Sequence, residues 1–333
     1  MTPARTNAVD VSVLVPAKDE AGNLQLFMEQ CDETFRTRPE HYEVVVIDDG
    51  STDNSWALLQ DLAKRFDFLK PVRHRVRRGI AEALRTGYHH ASSDVLVFYP
   101  ADLQFKPEDI PRLVAPILAG ESDMVTGYKE GKYEKAFVSR IYNKLSRSLF
   151  DVPVRDLNNV KAYRREIMQS LPMRPDWHRY MIVLAHANGY SVSEVPMPLY
   201  PRHSGKSKFG LSRIPIGVLD MLSVWFELRF GQKPLLAFGM LGAALFAFGF
   251  LAGIVAVGVR VFAGVGYRPL LTLVETCLLL GSVFFATGLL SEQIAQQRAE
   301  VRELRREIES LGARGAPQEP RGAPDAASHS DAG

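Results

Sequence analysis

Carboxylates gather in three short segments, each following a run of apolar residues. Pro16-Ala17-Lys18-Asp19-Glu20 comes after residues 11–15, Asp48-Asp49-Gly50-Ser51 after 44–47, and Pro100-Ala101-Asp102-Leu103-Gln104 after 95–99. Such a set suits a nucleotide held through its base, its ribose and a metal-bridged diphosphate. Carboxylates accept from base N–H groups and ribose hydroxyls, and a hard divalent cation takes oxygen ligands such as Asp102 and the Gln104 carbonyl. Any one segment also has a structural reading: Asp-Gly-Ser is a common turn leading into a helix N-cap, so Asp49 and Ser51 read equally well as caps. Two basic clusters accompany the carboxylates: Lys129, Lys132, Lys135 and Arg140, and then Arg202, His203, Lys206 and Lys208 around Gly205. Both suit a phosphate, and both also suit general attraction to anionic lipid, worth about 1 kcal/mol per basic residue near a surface. His89-His90 and His178 have no carboxylate or cysteine companions at metal-ligand spacing. No Gly-x-Gly-x-x-Gly follows the first apolar run and no Gly-Lys-Ser/Thr loop occurs, which counts against a dinucleotide dehydrogenase and a P-loop NTPase.

The elements that would position these groups are legible in outline. The apolar runs are of strand length, and helix-compatible stretches at 22–37, 54–66 and 80–91 follow or separate them. The alternation predicts an α/β domain over residues 1–210, built on a mainly parallel sheet. Ligands of such sheets sit at the C-terminal ends of the strands, where all three carboxylate segments stand.

Residues 234–259 carry no charge, and residues 269–291 carry only Glu275. At about 1.5 Å per residue these stretches reach roughly 39 and 34 Å, against a hydrocarbon core of about 30 Å. The reading is a transmembrane hairpin with spans at 234–259 and 268–291. Arg202, Lys206, Lys208, Arg213, Arg229 and Lys233 precede it, and Arg298, Arg302, Arg305 and Arg306 follow it, while only Arg260 and Arg268 lie between the spans. That imbalance predicts that the catalytic domain and both termini are cytoplasmic, and the polar first ten residues carry no signal-peptide pattern. Residues 211–233 read as interfacial, amphipathic helix with Trp225, Phe226 and Phe230 at headgroup depth. In 292–311 the heptad seam that starts at Leu290 runs through Ile294, Gln297, Val301, Leu304, Ile308 and Leu311 at alternating spacings of four and three. It suits either a self-associating helix, hence a homo-oligomer, or a single amphipathic helix resting on protein or lipid. Residues 312–333, rich in Gly, Ala, Pro and Ser, are expected to be disordered.

Bulk composition hides this division. A formal charge of +2 over 333 residues excludes a chain that coats nucleic acid by charge alone, and a mean hydropathy of −0.07 averages a polar domain with an apolar hairpin. Cys31 and Cys277 stand far apart and form neither a metal-ligand spacing nor a disulfide framework.

Taken in order, VSVLVPAKDEAGNL, VVVIDDGSTDNS, RGIAEALRTGYHHA, ADLQFKPEDI, KAYRRE and PRHSGKSKFGLSR resemble the family 2 glycosyltransferases that act on polyprenyl phosphates, such as dolichol-phosphate mannosyltransferase and bacterial undecaprenyl-phosphate sugar transferases. The resemblance spans about residues 10–292 and ends in Gly288-Leu289-Leu290-Ser291-Glu292, as in the bacterial members. It implies a GT-A type fold, a nucleotide-diphosphate sugar donor, a divalent cation (Mg2+ or Mn2+), a polyprenyl phosphate acceptor and a place in the bacterial inner membrane. By the same resemblance Pro16, Lys18, Glu20, Val46 and Asp48 match nucleoside-binding positions, with Asp49 beside them. Ala101, Asp102 and Gln104 match the metal and diphosphate loop. Lys129 stands where an Arg commonly faces phosphate, Lys135 and Ser139 follow in similar register, and Arg202 and Lys208, with Lys206 between them, match the basic mobile loop.

Two departures qualify the match. The metal loop usually reads Asp-Ala-Asp, whereas this chain has Pro100-Ala101-Asp102, so the first carboxylate is missing and weaker metal binding is expected. The segment DLNNVKAYRRE, which begins at Asp156, lacks the usual Gly-aromatic pair and is one residue shorter. Asp156 reads either as a group orienting acceptor or sugar hydroxyls or as a helix cap. A polyprenyl phosphate carries roughly −1.5 to −2 charge near neutrality and is already a nucleophile, so in-line attack with inversion needs placement and charge management more than a strong base. The alternative is a catalytically impaired membrane scaffold of the same fold, argued from Pro100. A processive polysaccharide synthase would carry a Gln-x-x-Arg-Trp motif, which is absent.

Overall fold

The computed structural model describes residues 9–130, 146, 149–150, 152–157, 159–171, 174–175, 177–201, 203–204, 214–264 and 266–315. The chain divides into two compact units, Met1–Leu228 and Arg229–Gly333.

The first unit is built on strands β1 (Val11–Ala17), β2 (Tyr42–Asp48), β3 (Leu69–Arg73), β4 (Val95–Phe98), β5 (Met124–Glu130), β6 (Lys161–Arg164) and β7 (Val192–Pro198). They form one sheet in the order β3-β2-β1-β4-β6-β5-β7. All neighbours pair in parallel except β6, which runs antiparallel to both β4 and β5. The sheet is therefore mixed and mainly parallel. Alternate residues face opposite sides. Val13, Val15, Val44 and Val46 enter one core beneath α1 (Ala21–Arg36) and α2 (Ser55–Arg65), while Leu14, Val45 and Ile47 enter a second beneath α3 (Ile80–His90). Burial on both faces explains why β1 and β2 are continuous apolar runs rather than alternating ones. Further helices are α4 (Ile110–Leu118), α5 (Arg165–Ser170), α6 (Met181–Ala187) and α7 (Ile214–Phe230).

Helix α7 buries Met221 and Val224 in the second core, and its Gly217 carbonyl accepts the Tyr180 hydroxyl at 3.0 Å. Ile216, Leu219 and Leu222 are exposed on it. Helix α7 thus gives one apolar side to the protein core and leaves other apolar residues exposed.

The second unit consists of α8 (Pro234–Ala263) and α9 (Arg268–Gly315). The stretches Pro234–Ala263 and Arg268–Val301 are long and apolar enough to cross a membrane, with mean hydropathies of 2.4 and 1.9 over their most apolar 18 residues. They run antiparallel in close backbone contact. A Cβ on Gly242 would lie 2.7 Å from the Gly281 carbonyl oxygen, and one on Gly281 2.9 Å from that of Gly242. At the start of α8 the Leu235 N–H donates to Glu292 Oε2 at 3.2 Å, so a carboxylate meets the positive end of the helix dipole. The second apolar span and the heptad stretch are one continuous helix.

Candidate functional site

The ends of β1 and β2 are laced together. Lys18 Nζ donates to the Gly50 carbonyl at 3.0 Å and pairs with Asp19 at 3.1 Å. The Asp19 N–H donates to Ser51 Oγ at 2.9 Å, Thr52 N–H to Asp19 Oδ1 at 2.8 Å, and the Glu20 N–H to Ser55 Oγ at 3.0 Å. The Thr52 amide is the main cause that holds the Asp19 carboxyl down to about 2. Glu20 accepts from Asn23 Nδ2 at 2.6 Å at the start of α1. Asp19 (φ 52°) and Leu103 (φ 58°) are the two non-glycine residues with positive φ among the described residues, and they stand in the two carboxylate loops after β1 and β4. Left-handed backbone at non-glycine residues costs free energy and persists where the surroundings enforce it.

Asp48 closes β2 with no exposed surface. Its Oδ1 accepts the Ser51 N–H at 2.9 Å, and Arg73 Nε lies 3.2 Å from Oδ2 without the alignment of a hydrogen bond, so Oδ2 is a buried acceptor left without a donor. Such an atom is costly unless a ligand supplies the donor. Asp49 is arranged otherwise. Its oxygens accept from the Arg78 N–H at 2.7 Å and the Gly79 N–H at 2.8 Å, and Oδ1 lies 2.9 Å from His74 Nδ1, while His74 Nε2 meets Thr86 Oγ1 at 2.9 Å. Burial raises the Asp49 carboxyl, but the bonds from His74, Arg78 and Gly79 outweigh it and hold it below the usual range. This is the geometry of an anchor for the 74–79 loop. Gly50 lies under the same loop at φ 68°, where a Cβ would meet Arg77 N at 2.7 Å. Val46, assigned to the nucleoside by resemblance, has no exposed surface and packs in the first core. Its side chain seats the strand that carries Asp48.

At the end of β4, Asp102 Oδ1 accepts the Gln104 N–H at 3.2 Å, and the Gln104 carbonyl accepts the Tyr200 N–H at 3.0 Å. Ala101, Leu103 and Phe105 are buried and anchor the loop. No group of three or more His, Cys, Asp or Glu disposed around a common point occurs among the described residues. One carboxylate beside an amide oxygen fits a cation such as Mg2+, which takes one or two carboxylates and fills its sphere with phosphate oxygens and water.

Because β6 alone is reversed, its first residue lies at the edge where the parallel strands end. Lys161 is in register with Phe98 and with Thr126. It has no exposed surface, donates to the Asn159 carbonyl at 2.7 Å, and its ammonium lies 5.7 Å from the Phe98 ring centroid. Burial pulls it down to about 7, Asp156 opposes, and Lys129 and Arg179 add to the fall. Lys129 Nζ lies 3.5 Å from the buried Asp156, so two amines flank one carboxylate. His178 stands nearby with its ring 6.2 Å from Phe98 and its Nδ1 without a hydrogen bond, pulled down to about 3 by burial and then by Lys161 and Arg179. Sequence reasoning missed His74 and Lys161. The available signal for Lys161 was a lysine inside the otherwise apolar run from Val160 to Tyr163. Lys135, Ser139, Arg202, Lys206 and Lys208 lie outside the described residues, as does Lys132.

The description "Glycosyl transferase family 2" belongs to the family model that matches residues 12–172. Dodecaprenyl-phosphate galacturonate synthase of Rhizobium johnstonii is 28% identical over 301 residues, 87% of this chain and 88% of that protein. Undecaprenyl-phosphate 4-deoxy-4-formamido-L-arabinose transferase of Shewanella sediminis is 26% identical over 308 residues, 88% of this chain and 89% of that one. Among solved structures, glucosyl-3-phosphoglycerate synthase of Mycobacterium tuberculosis, in complex with Mn2+, UDP and glucosyl-3-phosphoglycerate, aligns with a TM-score of 0.53 at 20% identity over 68% of this chain and 85% of that one. That likeness concerns the fold, and it identifies the sheet as GT-A-like. The chain is thus a glycosyltransferase with a glycosyl transferase family 2 domain over residues 12–172, and over most of its length it is similar to proteins named for polyprenyl phosphates.

Proposed function

We propose that the protein transfers a sugar from a nucleotide-diphosphate donor to a polyprenyl phosphate, of the undecaprenyl class, with inversion at the anomeric carbon, giving a polyprenyl-monophosphate sugar for cell-envelope glycan or lipid modification. The observation that carries this reading is the carboxylate edge of the sheet, Asp48, Asp102 and Asp156, in a chain that also has two helices apolar enough to cross a membrane. The names of the two relatives supply the acceptor class.

Pro16, Lys18, Glu20 and Asp48 receive the nucleoside, with Asp48 Oδ2 the acceptor that a base or ribose donor would satisfy. Asp49 holds the 74–79 loop beside them. Asp102, seated by Ala101, and Gln104 would hold a divalent cation, Mg2+ or Mn2+, whose charge offsets that of the departing nucleoside diphosphate; the similar fold from Mycobacterium tuberculosis is recorded with Mn2+ or Mg2+ and UDP. Asp156 orients hydroxyls of the sugar or the incoming acceptor, and Lys129 and Lys161 balance its charge and that of phosphate. Lys135, Ser139, Arg202, Lys206 and Lys208 guide the acceptor phosphate. The phosphate oxygen attacks directly, because a dianionic monoester needs no strong general base. The hairpin holds the chain in the bacterial inner membrane as a multi-pass protein with the catalytic unit and both termini cytoplasmic, following the basic residues around the spans. The exposed apolar side of α7 suits the lipid surface where such an acceptor resides.

Membranes bearing the protein, given labelled nucleotide-sugars and polyprenyl phosphate, should form an acid-labile lipid-linked sugar, and Asp102→Ala should abolish it while leaving the fold intact. A second reading rests on Pro100, which supplies no carboxylate: a scaffold that binds nucleotide without turnover. Nucleotide binding with no transfer from any donor of a broad panel would favour that reading.

A further inference from the structure

On the basis of transfer to a polyprenyl phosphate, we propose that Lys161 is a further positioning residue: acting across Asp156, its amine takes up a proton as the acceptor phosphate arrives and returns it as the product leaves. Lys161 opens β6, the reversed strand, and has no exposed surface. Its amine donates to the Asn159 carbonyl at 2.7 Å and, among the described residues, forms no ion pair. A lysine is almost never buried whole without a charged partner, so packing alone does not account for this one.

The surroundings of the amine make its charge depend on a ligand. Asp156, in the loop before β6, is the carboxylate that acts on it, while Lys129 on β5 and Arg179 on the helical turn Trp177–Tyr180 are cations that act against its charge. His178 on the same turn is buried with Nδ1 unbonded and is kept neutral by burial and then by Lys161 and Arg179. Phe98 of β4 presents a ring 5.7 Å from the amine, and Thr126, its partner on β5, carries no charge. One carboxylate thus stands among three basic side chains, and burial takes the proton from Lys161, which falls to about 7. A second anion beside Lys129 and Asp156 reverses that balance. The acceptor is a monoester of roughly −2 above its second pKa of about 6, and it becomes a diester of about −1 once its oxygen has bonded the anomeric carbon and the bond to the nucleoside diphosphate has broken. The dianion draws a proton from solvent onto Lys161, the monoanion holds it less, and the proton goes back to solvent as the product departs. The same amine therefore binds acceptor more tightly than product.

The test is calorimetry of the full chain in detergent, titrated with farnesyl phosphate in buffers of different ionisation enthalpy, which counts the protons bound per phosphate. At about pH 8 this probe has already lost its second proton, so any uptake reports the protein. The wild type should take up roughly one-half to one proton per farnesyl phosphate, and less with farnesyl methyl phosphate, a monoanionic diester like the product. Lys161→Met should bind farnesyl phosphate about tenfold more weakly and without uptake, with little change in donor KM. Lys161→Arg, charged at every working pH, should bind it without uptake and should lose the fall in kcat/KM that the wild type shows above about pH 7. No uptake by the wild type, uptake that persists in Lys161→Met, or equal uptake with monoester and diester would overturn the proposal while leaving transfer to a lipid phosphate standing. Failure of every donor to give a lipid-linked sugar would instead remove the transfer on which it rests.

Discussion

Lys129 Nζ lies 3.5 Å from Asp156 Oδ2 at the edge of the sheet, joining the end of β5 to the loop that leads into β6. If this pair orients a reacting group, Asp156→Asn should lower kcat on the order of 100-fold with a smaller change in donor KM, as expected for lost placement. Lys129→Arg should keep most activity and Lys129→Met should not. A KM effect alone in all three variants would reduce the pair to a structural tie.

Lys161 makes stability depend on pH in a calculable direction. Its folded value is about 7, against the ordinary lysine value of 10.5, mainly through burial. Across that window the unfolded chain binds a proton that the folded chain lacks, so this group's contribution to stability rises with pH and is constant below about 7. Lys161→Met, of similar length and uncharged, should remove this part of the rise. The difference in melting temperature between variant and wild type should change steadily across the window, and parallel curves would contradict the assignment.

Pro100→Asp should restore a second carboxylate two residues before Asp102. The expected result is a Mg2+ or Mn2+ activation midpoint about tenfold lower, since affinity for hard cations follows the count of charged ligands. An unchanged titration would mean that Pro100 does not set metal affinity.

The elements most legible in sequence were those buried on both faces. β1, β2 and β4 announce themselves as apolar runs, and helices expected at 22–37, 54–66 and 80–91 are observed at Ala21–Arg36, Ser55–Arg65 and Ile80–His90. β3, β5, β6 and β7 were not legible, because they are short or carry charge: β3 is Leu-Lys-Pro-Val-Arg, and β6 opens on Lys161. The reversal of β6 brings Lys161 and Asp156 to the site, and local pattern holds no trace of a strand's direction. His74 was invisible for a similar reason: its partners Asp49 and Thr86 lie on other elements, 25 and 12 residues away. Asp48 and Asp49 are adjacent and chemically identical, yet one keeps an oxygen unsatisfied while the other ties down a loop, a difference made entirely by tertiary contacts.

The contact between α8 and α9 should not tolerate bulk at its centre. A Cβ on Gly242 would lie 2.6 Å from Phe285 N, a backbone atom that cannot swing aside. Gly242→Leu should therefore destabilise the hairpin by about 1–3 kcal/mol. Lowered thermal stability of the full chain in detergent checks this, with Gly258→Leu, where nothing lies within 4 Å, as the tolerant control.

The central claim, sugar transfer to a lipid phosphate, is tested most directly with purified protein in vesicles, a panel of labelled nucleotide-sugars and one variable, polyprenyl phosphate. The account predicts that one donor yields a lipid-linked sugar only when polyprenyl phosphate is present, with the anomeric configuration opposite to that of the donor. Transfer to a water-soluble acceptor with no requirement for the lipid, or a product that retains the donor configuration, would contradict it.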